Sequence, residues 1–299
     1  MLTASAGFSD LEQLSRFALG NVTLHHKQSF TLARLISVYG SSFALQGALL
    51  RADLQEEALQ VALGTEAEAA VDRFVRQLVT YDRLSTAGVD PLWTAVTGYY
   101  AGFFAANALM LACGRGLLRV NTTVISVAQT GGLHRVRLGQ GSAPNDINLT
   151  LTPVAGPGSH QATWASVREL LMDLAATVGN GPHEAQTFAS LAELIVRPRW
   201  VSTERNEINY DLERNPFLAG FWSRELPSLT GEDALESRIL SATSLRPEQR
   251  FELVMAGCAS LFGGLSREFL RRGGKVDPQR RGWRRAAMAS CPDLQWLLA

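Results

Sequence analysis

Between Pro91 and Gly114 the chain reads PLWTAVTGYYAGFFAANALMLACG, 24 residues without a charge. That length reaches what a bilayer-spanning helix needs, so a membrane reading has to be weighed first. Thr94, Thr97, Tyr99, Tyr100 and Asn107 interrupt the stretch, and glycine and alanine dilute its hydrophobicity. No second segment of the kind exists to pack beside it. The expectation is therefore a central helix, apolar on most faces because other helices surround it, with Gly98, Gly102 and the alanines allowing close approach. No membrane partner is expected.

The whole chain fits that reading. Its 299 residues are 46% apolar and 19% charged, with 28 basic residues against 28 acidic ones. Such a composition excludes disorder, a collagen-like chain and a disulfide-stapled miniprotein. Zero net charge argues against a generic polyanion binder while leaving room for a local basic patch. Cys113, Cys258 and Cys291 lie far apart with no ligand spacing, so reduced thiols are expected, with no metal and no cofactor. The opening MLTASAGFSDLEQLSRF has neither a basic flank nor a continuous apolar run. No signal peptide is read there, and a cytoplasmic location is expected.

On the N-terminal side, Leu11, Leu14 and Phe17, then Phe30, Leu32, Leu35 and Ile36, then Leu59 through Leu78 recur at helical spacing. Three or four helices are expected over residues 1–88, with Gly40 and Gly64 as turns. After Arg119 the period becomes two, over Val120, Val124 and Val127, then Leu133, Val136 and Leu138, then Ile147, Leu149 and Leu151. Three short strands at about 119–152 are expected, with Gly131-Gly132 as a tight hairpin between the first two. Helices resume at Trp164–Val178 and Ala185–Leu194, then from about Pro247 to Arg272, and after Pro278. The fold class is mainly α. It comprises an N-terminal helical region, 1–88, and a helical domain, 89–299, that carries a small antiparallel β insertion.

The familiar catalytic motifs are absent: no GxGxxG after a strand, no GxxxxGK[ST], no HExxH and no GxSxG. His134 alternates with Leu133 and Val136 and reads as an exposed or hydrogen-bonded surface histidine. One polar stretch stands out, TERNEINYD at Thr203 to Asp211. Arg205 offers a planar fork of donors suited to phosphate, Asn206 can orient a ligand, and Glu207 and Tyr210 complete a polar face. An ion-pair ladder among Glu204, Arg205 and Glu207 on a solvated helix would explain the same residues. A basic cluster near the C-terminus includes Arg280, Arg281, Arg284 and Arg285 with Trp283 among them. Arginine with an interleaved aromatic suits RNA phosphate and base stacking, although the helix dipole also favours basic helix termini.

Taken together, YYAGFFAANALML at Tyr99 to Leu111 and RNEINY at Arg205 to Tyr210 resemble HEPN domains, helical modules of prokaryotic toxin-antitoxin and antiphage systems. The resemblance implies a HEPN-like helical bundle and a binding role for RNA, a nucleotide or a protein partner from the same operon. It also implies a homodimer or hetero-complex. Members that cut RNA without metal carry Arg, a polar residue and then His after a spacer of four to six residues from the Arg. Arg205 and Asn206 match the first two positions, so a catalytic role would fall to Arg205, Asn206 and Tyr210, with Glu207 and Tyr99 as binding residues. Tyr210 stands where the histidine is expected. A tyrosine, with a reference pKa of about 10, is a poor general base near neutral pH but donates a hydrogen bond to phosphate. The resemblance thus favours a binding module over an endoribonuclease effector.

Overall fold

The computed structural model describes residues 23–24, 31–88, 91–128, 131–143, 146–155, 158–177, 182–195, 229, 231–242, 247–271 and 275–298. In chain order its elements are β1 (Thr23–Leu24), α1 (Leu32–Tyr39), β2 (Ala44–Gln46), β3 (Leu49–Gln55), α2 (Glu56–Ala87) and α3 (Pro91–Ala112). Then come β4 (Arg115–Val120), β5 (Gly132–Gln140), β6 (Asp146–Pro153), α4 (Ser159–Thr177), α5 (Pro182–Leu194) and α6 (Glu232–Leu240). α7 (Pro247–Arg271), β7 (Lys275–Val276), α8 (Pro278–Met288) and a 3-10 helix (Pro292–Leu298) close the order. The protein is mostly helical with a small antiparallel sheet.

The charge-free stretch is α3, the hub of the helical layer. Its segment Trp93–Ala112 is long and apolar enough to cross a bilayer, yet 78% of it is buried against the rest of the protein. α2, α4 and α7 pack around it. Small residues make this approach close: a Cβ on Gly98 would sit 3.0 Å from the Tyr81 ring of α2, and one on Gly102 would sit 3.4 Å from Met255 of α7.

α2 runs unbroken through Gly64, which is buried inside it rather than at the expected turn. A mid-helix glycine costs about 1 kcal/mol relative to alanine. The apolar face of Leu59, Leu63, Ala67, Val71, Phe74 and Leu78, buried throughout, outweighs that cost. Gly88, at φ 63°, adopts the left-handed conformation that ends the helix. α1 begins at Thr31, whose hydroxyl accepts the Arg34 amide. The Leu32 amide donates to the Glu66 carboxylate at 2.8 Å, tying α1 to α2.

The sheet is larger than the expected three-stranded insertion. Five antiparallel strands stand in the order β2-β3-β6-β5-β4, because β3 pairs with β6 (Leu50 opposite Leu151, Leu54 opposite Ile147) and β2 pairs with β3. The first strand of the insertion also starts earlier, at Arg115, and ends at Val120. Asn121 explains the stop. Its side chain accepts the Thr123 amide and its carbonyl accepts the amides of Val124 and Ile125, so Val124 and Val127 lie in a turn region and not in a strand. Gly132 opens β5 and is not part of a tight hairpin. His134 is buried on the core face of β5, with its Nδ1 3.2 Å from the Gly132 carbonyl, which corrects the surface reading.

Core-facing Leu50, Ala52, Leu54, Ile147, Leu149, Leu151 and Val136 join the helices in one continuous hydrophobic core that spans both sides of residue 88. α4 is clamped to the sheet by Arg115 with Asp173 (2.5 Å) and by Arg135 and Arg137 with Glu169 (2.6 and 2.9 Å).

Two glycines test this packing. A Cβ at Gly40 would fall 2.1 Å from the Val124 carbonyl oxygen, a backbone atom that cannot step aside, whereas at Gly282, exposed within α8, it would meet nothing. Gly40→Ala should cost about 1–3 kcal/mol of stability, and Gly282→Ala should add about 0.5–1 kcal/mol through helix propensity. Urea denaturation midpoints check both. A Gly40→Ala protein as stable as the parent would mean that the turn after α1 is not packed as described.

Candidate functional site

Arg205, Asn206, Glu207 and Tyr210 lie outside the described residues. The other half of the resemblance, on α3, is in full view. Tyr99 is 1% exposed. Its hydroxyl lies 2.7 Å from Nδ1 of His160 in the first turn of α4, and it accepts a hydrogen bond from Trp164 Nε1 at 3.3 Å. His160 stacks on Phe103 with ring centroids 4.3 Å apart, and Phe251 of α7 meets Tyr99 edge-on at 5.6 Å. The residue after Phe251 is Glu252, 2% exposed, whose carboxylate accepts the Tyr81 hydroxyl. One end of the helical layer thus holds an aromatic cluster threaded with polar atoms, and in it Tyr99 is positioned from two sides. A buried phenol is tolerated only when its hydroxyl is satisfied, and here α4 supplies the partners.

From this cluster a band of side chains runs outward across four helices. His160 (α4) meets Tyr100 (α3) edge-on at 6.1 Å, and Tyr100 stacks on Phe104 at 6.3 Å. The Arg73 guanidinium (α2) lies 5.7 Å from the centre of the Phe104 ring, and that of Arg76 lies 5.2 Å from the Trp283 ring (α8). Arg73 and Arg76 are three residues apart on α2, so they share one helical face. Both are exposed, Trp283 is 37% exposed, and Tyr100, Phe104 and His160 are half-buried. Neither arginine forms a salt bridge with a carboxylate among the described residues.

The C-terminal basic cluster does not act as one patch. Asp277 caps α8 by accepting the amides of Gln279 and Arg280, and the helix then lays two of its arginines on α2. Arg284 pairs with Glu68 and Asp72, both at 2.7 Å, and donates to the Glu68 carbonyl, while Arg280 reaches Asp72 at 3.5 Å. Burial alone would lower the pKa of Arg284. The negative charges of Glu68 and Asp72 outweigh it and hold the guanidinium above its usual value. Arg281 and Arg285 point to solvent, and Trp283 sits beside Arg76.

Arg73, Arg76, Phe104 and His160 are additions that sequence reading missed. The spacing of Arg73 and Arg76 was visible, but the rings beneath them come from α3 and α8, far away in sequence. Cys113 and Cys258 are not nucleophile candidates, since burial pushes both thiols up to about 12. Among the described residues no group of His, Cys, Asp or Glu gathers to hold a metal ion. Compared with protein families, curated proteins and solved structures, the chain matches none of them.

The split within the basic cluster has a measurable consequence. Arg284→Ala leaves Glu68 buried without its cation and should lower stability by about 3–5 kcal/mol, as for a broken buried ion pair. Arg281→Ala and Arg285→Ala should stay within about 0.5 kcal/mol of the parent. Chemical denaturation of the three variants checks this, and equal effects would contradict the division into inward and outward arginines.

Proposed function

We propose that this chain is a HEPN-like component of a prokaryotic defence or toxin system, a helical module that binds RNA or a nucleotide and acts with a protein partner from the same operon. The observation that carries the reading is the aromatic cluster that α3, the helix that supplies one half of the resemblance, forms with His160 of α4. Half-buried rings with adjacent exposed guanidinium groups offer stacking to bases and charge to phosphates. In this reading Arg205 and Asn206 contact phosphate, Tyr210 donates a hydrogen bond in place of the missing histidine, Glu207 orients them, and the module works in the cytoplasm as a homodimer or hetero-complex.

A catalytic reading has one observation in its favour. His160 brings an imidazole against the motif-bearing helix by bonding to Tyr99. Proton transfer near neutral pH, which attack by a ribose 2′-hydroxyl needs, is within the range of histidine and outside that of tyrosine. The chain would then be a metal-independent endoribonuclease using Arg205, Asn206 and Tyr210, with His160 making good the gap in the motif.

Binding and cleavage separate the two. Arg205→Ala should weaken RNA or nucleotide binding by about 1–3 kcal/mol with an unchanged melting temperature, measured by filter binding at two salt concentrations. Unchanged binding with a lowered melting temperature would instead assign Arg205 to a structural ion pair. Tyr210→Phe should cost modest affinity only. Loss of RNA cleavage or cellular toxicity in Tyr210→Phe or His160→Ala would favour the catalytic reading.

A further inference from the structure

We infer that the band from Trp283 through Arg76 and Arg73 to Phe104 and Tyr100 is a platform for single-stranded RNA, built from residues other than those of the Arg205 motif. This deepens the RNA-binding reading above and rests on it. The chemistry follows from how each arginine is held. A guanidinium held over a ring is already restrained, so it loses little freedom when a base packs against it, and its N–H donors suit phosphate oxygens. Arg73 and Arg76 both have this arrangement, one turn apart on α2, and both remain exposed.

Charge complementarity selects a polyanion. Two acids of α2 beside this band, Glu68 and Asp72, are paired with Arg284 and Arg280 of α8 and so do not neutralise the outer arginines. Glu66, seven residues before Arg73 on the same side of α2, attracts the Arg73 guanidinium, but burial pushes its carboxyl above the ordinary glutamate range and its oxygen accepts the Leu32 amide, so it offsets Arg73 only in part and leaves Arg76 to carry its charge outward. The rings select single strands. Base faces reach aromatic and guanidinium planes only when they are out of a duplex.

The test uses the full chain with a 12-nucleotide oligouridylate, a duplex RNA of equal length and polyglutamate as a plain polyanion. The oligouridylate should bind at least about ten-fold more tightly than the duplex, as stacking contributions predict. Arg73→Gln with Arg76→Gln should weaken that binding by about ten-fold or more and reduce the slope of log K against log salt by about 1.4, near 0.7 per lost phosphate contact on single strands. Arg76→Lys keeps the charge and removes the stacked plane, and Trp283→Leu removes the ring. Both should weaken binding at an unchanged melting temperature. Full binding by Arg76→Lys and Trp283→Leu, or equal affinity for the duplex or for polyglutamate, overturns the platform. If Arg205→Ala abolishes binding while the arginine pair on α2 has no effect, the platform falls and the broader reading stands. If the parent chain binds no RNA at all, both fall.

Discussion

A helix with no charge on any face cannot sit at a surface, and the arrangement of this protein follows from burying α3. Three helices have to surround it, and its glycines and alanines bring them close: α2 along one side, α7 along another, α4 across the end that carries Tyr99. Because alanine and glycine bury little area each, the stabilisation comes from the larger residues that lean over them, Tyr81, Trp164 and Met255 among them. The aromatic cluster is a by-product of the same constraint. The rings of α3 gather on the side that faces α4, where Tyr99 is fully buried and Tyr100, Phe103 and Phe104 are half-buried.

Polar groups inside the layer mark where helices are locked to one another. Glu68 fixes α8 to α2, Glu252 fixes α7 to α2 through Tyr81, and Glu236 of α6 receives the Thr187 hydroxyl of α5 at 3.1 Å with His183 at the same distance. Each of these carboxylates is less than a tenth exposed. Burying a carboxylate is costly unless it is paired, so each interface tolerates one relative placement of its helices much better than its neighbours. Apolar packing alone would permit sliding.

The long apolar periodicities were legible, and so α3, α5 and α7 emerge from the chain with nearly their observed limits, and α4 with its C-terminal end. Residues 44–55 were not. LLRADLQ alternates Leu50, Ala52 and Leu54 with Arg51, Asp53 and Gln55, a period of two, but alanine and a single leucine per turn are equally at home in a helix, and helical segments flank it on both sides. What decides the matter is β6, a strand from the other side of the central helix. Gly64 misled for the complementary reason, since a residue that breaks isolated helices is tolerated when the face around it is buried. Within the candidate site, Arg280 and Arg284 look identical to Arg281 and Arg285 in sequence. Only the i, i+4 pairing of Glu68 and Asp72 beneath α8 divides them.

The pairing of β3 with β6 also bears on how the chain is made. Asp53 and Asn148 face each other across 95 residues of sequence, and their side chains bond at 2.8 Å. While a ribosome adds that stretch at roughly 5–20 residues per second, the β2–β3 hairpin waits about 5–20 s with an apolar face and an open strand edge. Among the described residues α2, which emerges directly behind it, packs against β3. The nascent protein is therefore most exposed to mispairing and to chaperone capture before the sheet's third partner has been synthesised.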